Sequence, residues 1–255
     1  MRNFFIEINF VLVLSHEGEK SSKSCIFLVK RVEWHRFNIL FMGHKRIKLL
    51  RFAKLPDFDF VFDEKRNFSL EMLGEKIAGR PVVFEVGCGK GDYTLGLASL
   101  FPEKCFVGMD VKGERIWVGA DRAVREKRDN VAFVRGRVEN TLESISENFA
   151  DEIWVTFPDP FPREKQAKHR LTSPLFLEHY KRILKNRGIV HLKTDDQPLF
   201  EYTIDTVEKC GGRVMVAMAN IYQESNLDPV LQIQTDFEKK HLAKGRKIYY
   251  VKFSL

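Results

Sequence analysis

From residue 81 onward, short runs of apolar, β-branched and aromatic residues alternate with longer stretches in which apolar positions recur every three or four residues. The first kind reads as buried strands, the second as amphipathic helices. Strands are predicted at 81–86 (PVVFEV), 105–110 (CFVGMD), 130–134 (NVAFV), 151–157 (DEIWVTF), 188–194 (GIVHLKT), 213–219 and 248–253 (IYYVKF). Helices are predicted at 92–101, about 113–128, 172–184 and 198–210. The third of these opens on Thr172-Ser173-Pro174, a hydroxyl cap followed by Pro in the first turn, and Gly188 is read as its stop. Strands separated by single helices pair in parallel, because a parallel crossover needs a helix-sized connection. The expected fold class is α/β: an open, doubly wound, mostly parallel sheet with helices on both faces. Ligands of such sheets bind beyond the carboxyl ends of the strands, near the point where strand order reverses. The segments that follow Val86, Met109, Val134, Phe157 and Thr194 are therefore the ones to search for chemistry.

The amino end breaks this pattern. Residues 4–14 (FFIEINFVLVL) form a long apolar run, but it is too short to span a bilayer and is interrupted by Glu7 and Asn9. The polar LSHEGEK follows where a signal peptide would need small residues. Met42 opens MGHKRIKLL, a basic, start-like segment. Residues 1–41 are thus expected to be a strand-like or poorly ordered extension lying upstream of the natural start, with 42–80 a basic amino-terminal arm.

Composition narrows the class. Among 255 residues, 22 Phe and 3 Trp are far too many for a solvated chain. The net charge of +7 favours a polyanionic partner. The four cysteines (Cys25, Cys88, Cys105, Cys210) are scattered without a C-x-x-C pair. Neither a metal site nor a disulfide framework is expected, and a reducing cytoplasm fits.

Two strand ends carry distinctive residues. The first strand leaves through Glu85-Val86-Gly87-Cys88-Gly89-Lys90-Gly91, and glycines at such a turn let a cofactor approach the backbone. Asp110, 19 positions after Gly91, ends the second strand, where a carboxylate can accept both hydroxyls of an adenosine ribose. The dinucleotide fingerprint G-x-G-x-x-G is not met, since Asp92 stands where its last glycine would fall. Glu85 and Asp92 would repel a pyrophosphate but not a zwitterion bearing a sulfonium and an ammonium, which favours S-adenosylmethionine over a nicotinamide dinucleotide. The fourth strand ends in Pro158-Asp159-Pro160-Phe161-Pro162, in which the prolines stiffen the turn around Asp159. Eight Lys or Arg against two acids follow between Arg163 and Arg187, a density suited to nucleic-acid phosphates.

These residues resemble the bacterial tRNA (guanine-N7)-methyltransferases. Four segments carry the resemblance in order: EVGCGKGDYTLGLA, FPDPFPREKQAKHRLTSPLFLEHY, HLKTDDQPLFEY and TDFEKKHLAKGRKIYYVKF. It implies a class I, Rossmann-like methyltransferase domain over 81–255, S-adenosylmethionine as cofactor, tRNA as partner, and the variable-loop guanosine as target. It places Glu85, the turn glycines Gly87, Gly89 and Gly91, and Asp110 at the cofactor, with Asp159 as the catalytic residue, read as an orienting acceptor for the guanine and not as a proton abstractor. Arg163, Asp195, Thr235, Asp236, Phe237 and Glu238 fall on the substrate side. Lys165, Lys168 and Arg170 are expected on tRNA phosphates together with Arg163. Arg163 replaces a more usual Lys, Phe161 a more usual Trp, and Arg137 the acid commonly found after the third strand, with Glu139 the alternative acid two residues on. A nicotinamide-dependent dehydrogenase shares the glycine turn and Asp110, and a tRNA-binding subunit with a decayed cofactor site would share the rest. A methyltransferase acting on another RNA or on a small molecule is a further reading.

Overall fold

A computed structural model describes residues 44–65 and 68–255; the expectation for residues 1–41 lies outside the described residues. In chain order the elements are α1 (His44–Ala53), β1 (Val61–Asp63), α2 (Leu70–Ile77), β2 (Val82–Val86), α3 (Asp92–Leu100), β3 (Cys105–Asp110), α4 (Gly113–Arg125) and β4 (Val131–Arg135). They continue with α5 (Val138–Glu143), β5 (Ala150–Thr156), α6 (Pro174–Ile183), β6 (Leu184–Thr194), α7 (Gln197–Lys209), β7 (Arg213–Met218), α8 (Pro229–Gln232), α9 (Asp236–Leu242) and β8 (Tyr249–Ser254).

The strands make one sheet in the order β1-β4-β3-β2-β5-β6-β8-β7. Neighbours pair in parallel except at β8, which runs antiparallel to both β6 and β7. Alternate strand residues feed two cores, as the two-residue period of a strand requires. Val82, Phe84 and Val86 join Leu73 of α2, Leu142 of α5, Tyr180 of α6 and Val207 of α7 on one face. Val83, Phe106, Phe133 and Trp154 join Leu97 of α3, Ile116 of α4 and Leu231 of α8 on the other. The winding reverses at β2, whose neighbours are β3 on one side and β5 on the other. A crevice at that reversal is where an open α/β sheet receives a ligand.

Three local expectations are corrected. Gly188 does not stop a helix: α6 ends at Ile183, and β6 begins at once because Leu184 is captured beside Ala150. The extra residues before the next pair, Glu152 with Ile189, form an irregularity in which Arg187 takes a φ of 68°. Ser173 precedes α6, but its hydroxyl donates to the Lys168 carbonyl (3.1 Å) instead of capping the helix. α4 closes at Arg125, and Lys127 turns the chain away with a φ of 54°. The segment expected as a basic arm holds structure of its own. α1 packs on α4, with Arg51 over the Trp117 ring at 5.3 Å. β1 adds an edge to the sheet beside β4.

Candidate active site

The glycine turn is held to the end of β3. Gly87 and Cys88 both donate backbone N–H groups to the Met109 carbonyl, at 2.8 and 2.9 Å. Gly89 donates to the Asp110 carboxylate at 2.9 Å. At Gly89 the φ is +57°, and a Cβ there would point into open space, so the backbone itself faces outward. Gly91 is constrained by packing: a Cβ would meet the Phe133 ring at 2.8 Å. Asp110 lines a cavity of about 750 Å³ and accepts a second bond from the Lys112 N–H at 2.7 Å. A carboxylate has about four lone-pair sites, so acceptor capacity remains for two hydroxyls. Gly87 lines the same cavity, whereas the half-buried Gly89 and the buried Gly91 do not; a glycine backbone beside a carboxylate with spare acceptors fits an adenosyl cofactor.

Glu85 lies beneath the turn, 2% exposed, and does not line the cavity. It accepts from the Thr94 N–H (2.7 Å) and hydroxyl and from the Thr156 hydroxyl (2.6 Å), tying β2 to α3 and β5. Burial raises its pKa to about 7 against the lowering effect of those donors. Asp92 is paired with Arg122 at 2.7 Å and accepts the Asp236 N–H at 3.1 Å. The expected repulsion of a pyrophosphate is therefore weakened: burial favours the neutral form of Glu85, and Asp92 is paired with Arg122.

The proline turn closes the far side. Phe157 and Phe161 take φ values of 48° and 43°, a region that costs aromatic residues energy and is seen where surrounding structure enforces it. Phe157 is held by its N–H bond to the Lys193 carbonyl (2.7 Å) and packs on Phe237 at 5.4 Å between ring centroids. At the other end, the Arg170 guanidinium donates to the carbonyls of Pro160 and Phe161, each at 3.1 Å, and lies 4.2 Å over Tyr202. Arg170 thus braces the turn instead of standing free for phosphate, a correction to its expected role. Between these anchors Asp159 is exposed and lines the same cavity as Gly87 and Asp110. Leu171, just beyond the basic stretch, lies against the glycine turn, 3.6 Å from where a Gly87 Cβ would be. The two chain segments therefore adjoin.

Other expected site residues are placed differently. Arg163 is exposed and outside the cavity wall, although Gln166 and His169 from the following 3-10 turn are part of it. Asp195 accepts from His241 Nδ1 (2.6 Å) and Arg246 (2.7 Å), binding the end of β6 to α9. Thr235 caps α9 by accepting the Glu238 N–H at 3.0 Å. Asp236 pairs with Lys90 at 2.9 Å, and Phe237 is exposed, stacked 3.9 Å from His241. Glu238 is fully buried, paired with Lys193 at 2.8 Å and accepting from Tyr222 at 2.7 Å. Asp195 and these four residues flank the cavity through the Phe237–Phe157 contact without lining it. Sequence reasoning missed Lys193, which sits mid-pattern in a strand, and Glu64 on the cavity wall, some 70 positions from its nearest partners. Among the described residues no group of His, Cys, Asp or Glu could hold a metal, and no helix is long and apolar enough to cross a membrane.

Comparison with known proteins bears on this site. A family model described as "Putative methyltransferase" matches residues 79–251. A tRNA (guanine-N(7)-)-methyltransferase of Christiangramia forsetii is 40% identical, over 84% of this chain and 100% of its own length. One of Bacteroides fragilis is 37% identical, over 82% of this chain and 85% of its own. Among solved structures, the 16S rRNA methyltransferase KamB superposes with a TM-score of 0.59 at 14% identity, covering 76% of this chain and 98% of KamB. An antibiotic-related methyltransferase gives 0.54 at 22%, covering 74% and 94%. These two likenesses are of fold alone.

Proposed function

The chain belongs to the tRNA (guanine-N7)-methyltransferase family, and on that premise we propose that it transfers a methyl group from S-adenosylmethionine to N7 of the variable-loop guanosine of tRNA. The observation that carries this reading is the shared cavity of Gly87, Asp110 and Asp159 at the reversal of strand order.

When bound, S-adenosylmethionine supplies a methyl group on a positively charged sulfur. Asp110 would accept the ribose hydroxyls, and the Gly87–Gly89 backbone would lie against the cofactor. Glu85 acts from below by fixing the turn to α3 and β5. Guanine N7 has a lone pair and no proton, so the reaction needs no strong base, only alignment and exclusion of water. Asp159, with no hydrogen-bond or ion-pair partner among the described residues, is available as an acceptor for guanine N1–H and N2–H₂. Its negative charge also favours the positive charge that develops on the base. Reaching the cavity requires the guanine to leave its stack. Arg163, Lys165 and Lys168 are exposed beside the proline turn and would meet tRNA phosphates.

Incubation with methyl-labelled S-adenosylmethionine and unmodified tRNA, followed by nucleoside analysis, tests the assignment. The expected product is 7-methylguanosine, mapped to the variable loop. Label in another nucleoside, or transfer to a different RNA or a small molecule but not to tRNA, would overturn it.

A further inference from the structure

The strand ends that border the cavity follow the order β1, β4, β3, β2, β5. If Asp110 at the end of β3 holds the ribose and the methyl-bearing end lies toward Asp159 after β5, the adenine has one direction left, toward the ends of β4 and β1. The resemblance calls for an acid after β4, but the chain has Arg137, whose residue is exposed. The wall at this place does contain a carboxylate, contributed from the far amino-terminal side: Glu64.

Several contacts fix Glu64 there. β1 pairs in parallel with β4, and the Glu64 N–H extends the ladder by donating to the Arg135 carbonyl at 2.9 Å. Asp63 and Arg135 form an ion pair, with Arg135 lying 4.7 Å over the Phe52 ring. One Glu64 oxygen accepts the Arg137 N–H at 2.6 Å and the other accepts from the Asn140 amide at 2.7 Å. A Cβ on Gly136 would come within 2.6 Å of the first oxygen, so glycine at that position is what lets the carboxylate lie against the end of β4. Two donors occupy about half of a carboxylate's acceptor sites. Glu139 of α5 also lines the cavity, but no hydrogen bond fixes it among the described residues, and its charge bears on Tyr180 of α6.

We infer that Glu64 is the carboxylate that receives the exocyclic amino group of the donor's adenine, so that the amino-terminal edge strand completes the cofactor site. The inference rests on reading the cavity as a site for S-adenosylmethionine. An adenine presents an N–H donor at this position and a hypoxanthine presents an oxygen acceptor, so a carboxylate there favours the first and repels the second.

Isothermal titration of S-adenosylhomocysteine and S-inosylhomocysteine into the parent, Glu64→Gln, Glu64→Ala and Glu139→Gln proteins reads this preference. The parent should bind the adenine compound at least about tenfold more tightly, the worth of one hydrogen bond to a charged group. Glu64→Ala should bring the ratio close to one. Glu64→Gln, which keeps an acceptor oxygen for the end of β4 and adds a donor, should narrow or invert it. Glu139→Gln should retain the parental ratio. Equal losses for both ligands in the Glu64 variants, or collapse of the ratio only in Glu139→Gln, would overturn the inference and leave the donor site intact. Failure of the parent to bind either compound would overturn the donor-site reading, and this inference with it.

Discussion

At the scale of single residues, what a charged side chain does is decided by the partner the fold gives it. Asp92, Asp110, Glu85 and Glu238 all carry a carboxyl group, and the sequence does not show which partner each one meets. In the structure they are respectively an ion-pair partner, a cavity wall, a buried brace and a core ion. Glu85 and Asp110 were legible as a pair because turn glycines and a strand-end acid have a fixed spacing, whereas the pairing of Glu64 with the end of β4 joins residues too far apart for any local pattern. The state of Glu85 gives a prediction. The folded protein holds its proton up to about pH 7, whereas the unfolded carboxyl releases it near 4.5. Stability from this group is thus fully present below pH 4.5 and is lost as the pH rises through about 7. Glu85→Gln keeps an acceptor oxygen and cannot ionise. Relative to the parent, its Tm should rise between pH 4.5 and 7, a gain on the order of a few kcal/mol. Parallel Tm–pH curves for the two proteins would contradict the assignment.

At the scale of elements, the parallel half of the sheet was readable because buried parallel strands are continuous apolar runs and their helices keep a clear period. The short pieces were not. β1 has three residues and α8 four, too few to show a period, and they are stabilised by what they pack on. In the lobe between β7 and β8, the buried Lys193 ammonium donates to the carbonyls of Leu231 and Ile233 (each 2.9 Å) and to the buried Glu238. Removing one partner of a buried ion pair leaves the other uncompensated, at a cost of roughly 3–5 kcal/mol. Glu238→Ala should therefore destabilise the protein by about that amount, with amide exchange accelerated first over residues 221–242. Uniform protection across those residues would show that the pair does not hold the lobe. The 3-10 turn after Asp159 supports a second prediction. Replacing Arg163, Lys165 and Lys168 together with Ala should weaken tRNA binding and make it less sensitive to salt. An unchanged salt slope would put the RNA on another surface. Arg170→Ala should instead lower turnover, since its guanidinium holds the Pro160 and Phe161 carbonyls.

At the scale of the whole molecule, the fold brings together the ends of strands that are distant in sequence. Gly87, Asp110 and Asp159 meet because β2, β3 and β5 are adjacent and parallel, with the winding reversed at β2. The strand alternation made this meeting foreseeable, and the family's signatures named its chemistry; the depth of Glu85 and Glu238 emerged only with packing. The net charge of +7 suits a tRNA partner, while Asp159, exposed on a stiffened turn, has no hydrogen-bond or ion-pair partner among the described residues. In the proposed reaction this carboxylate faces a methyl donor held by the glycine turn and Asp110. Single-turnover methyl transfer by Asp159→Ala, measured with S-adenosylhomocysteine affinity on the same preparation, tests it most directly. The expected result is a rate lowered by about 10²–10³-fold with cofactor affinity retained; parental transfer rates in that variant would remove Asp159 from the mechanism.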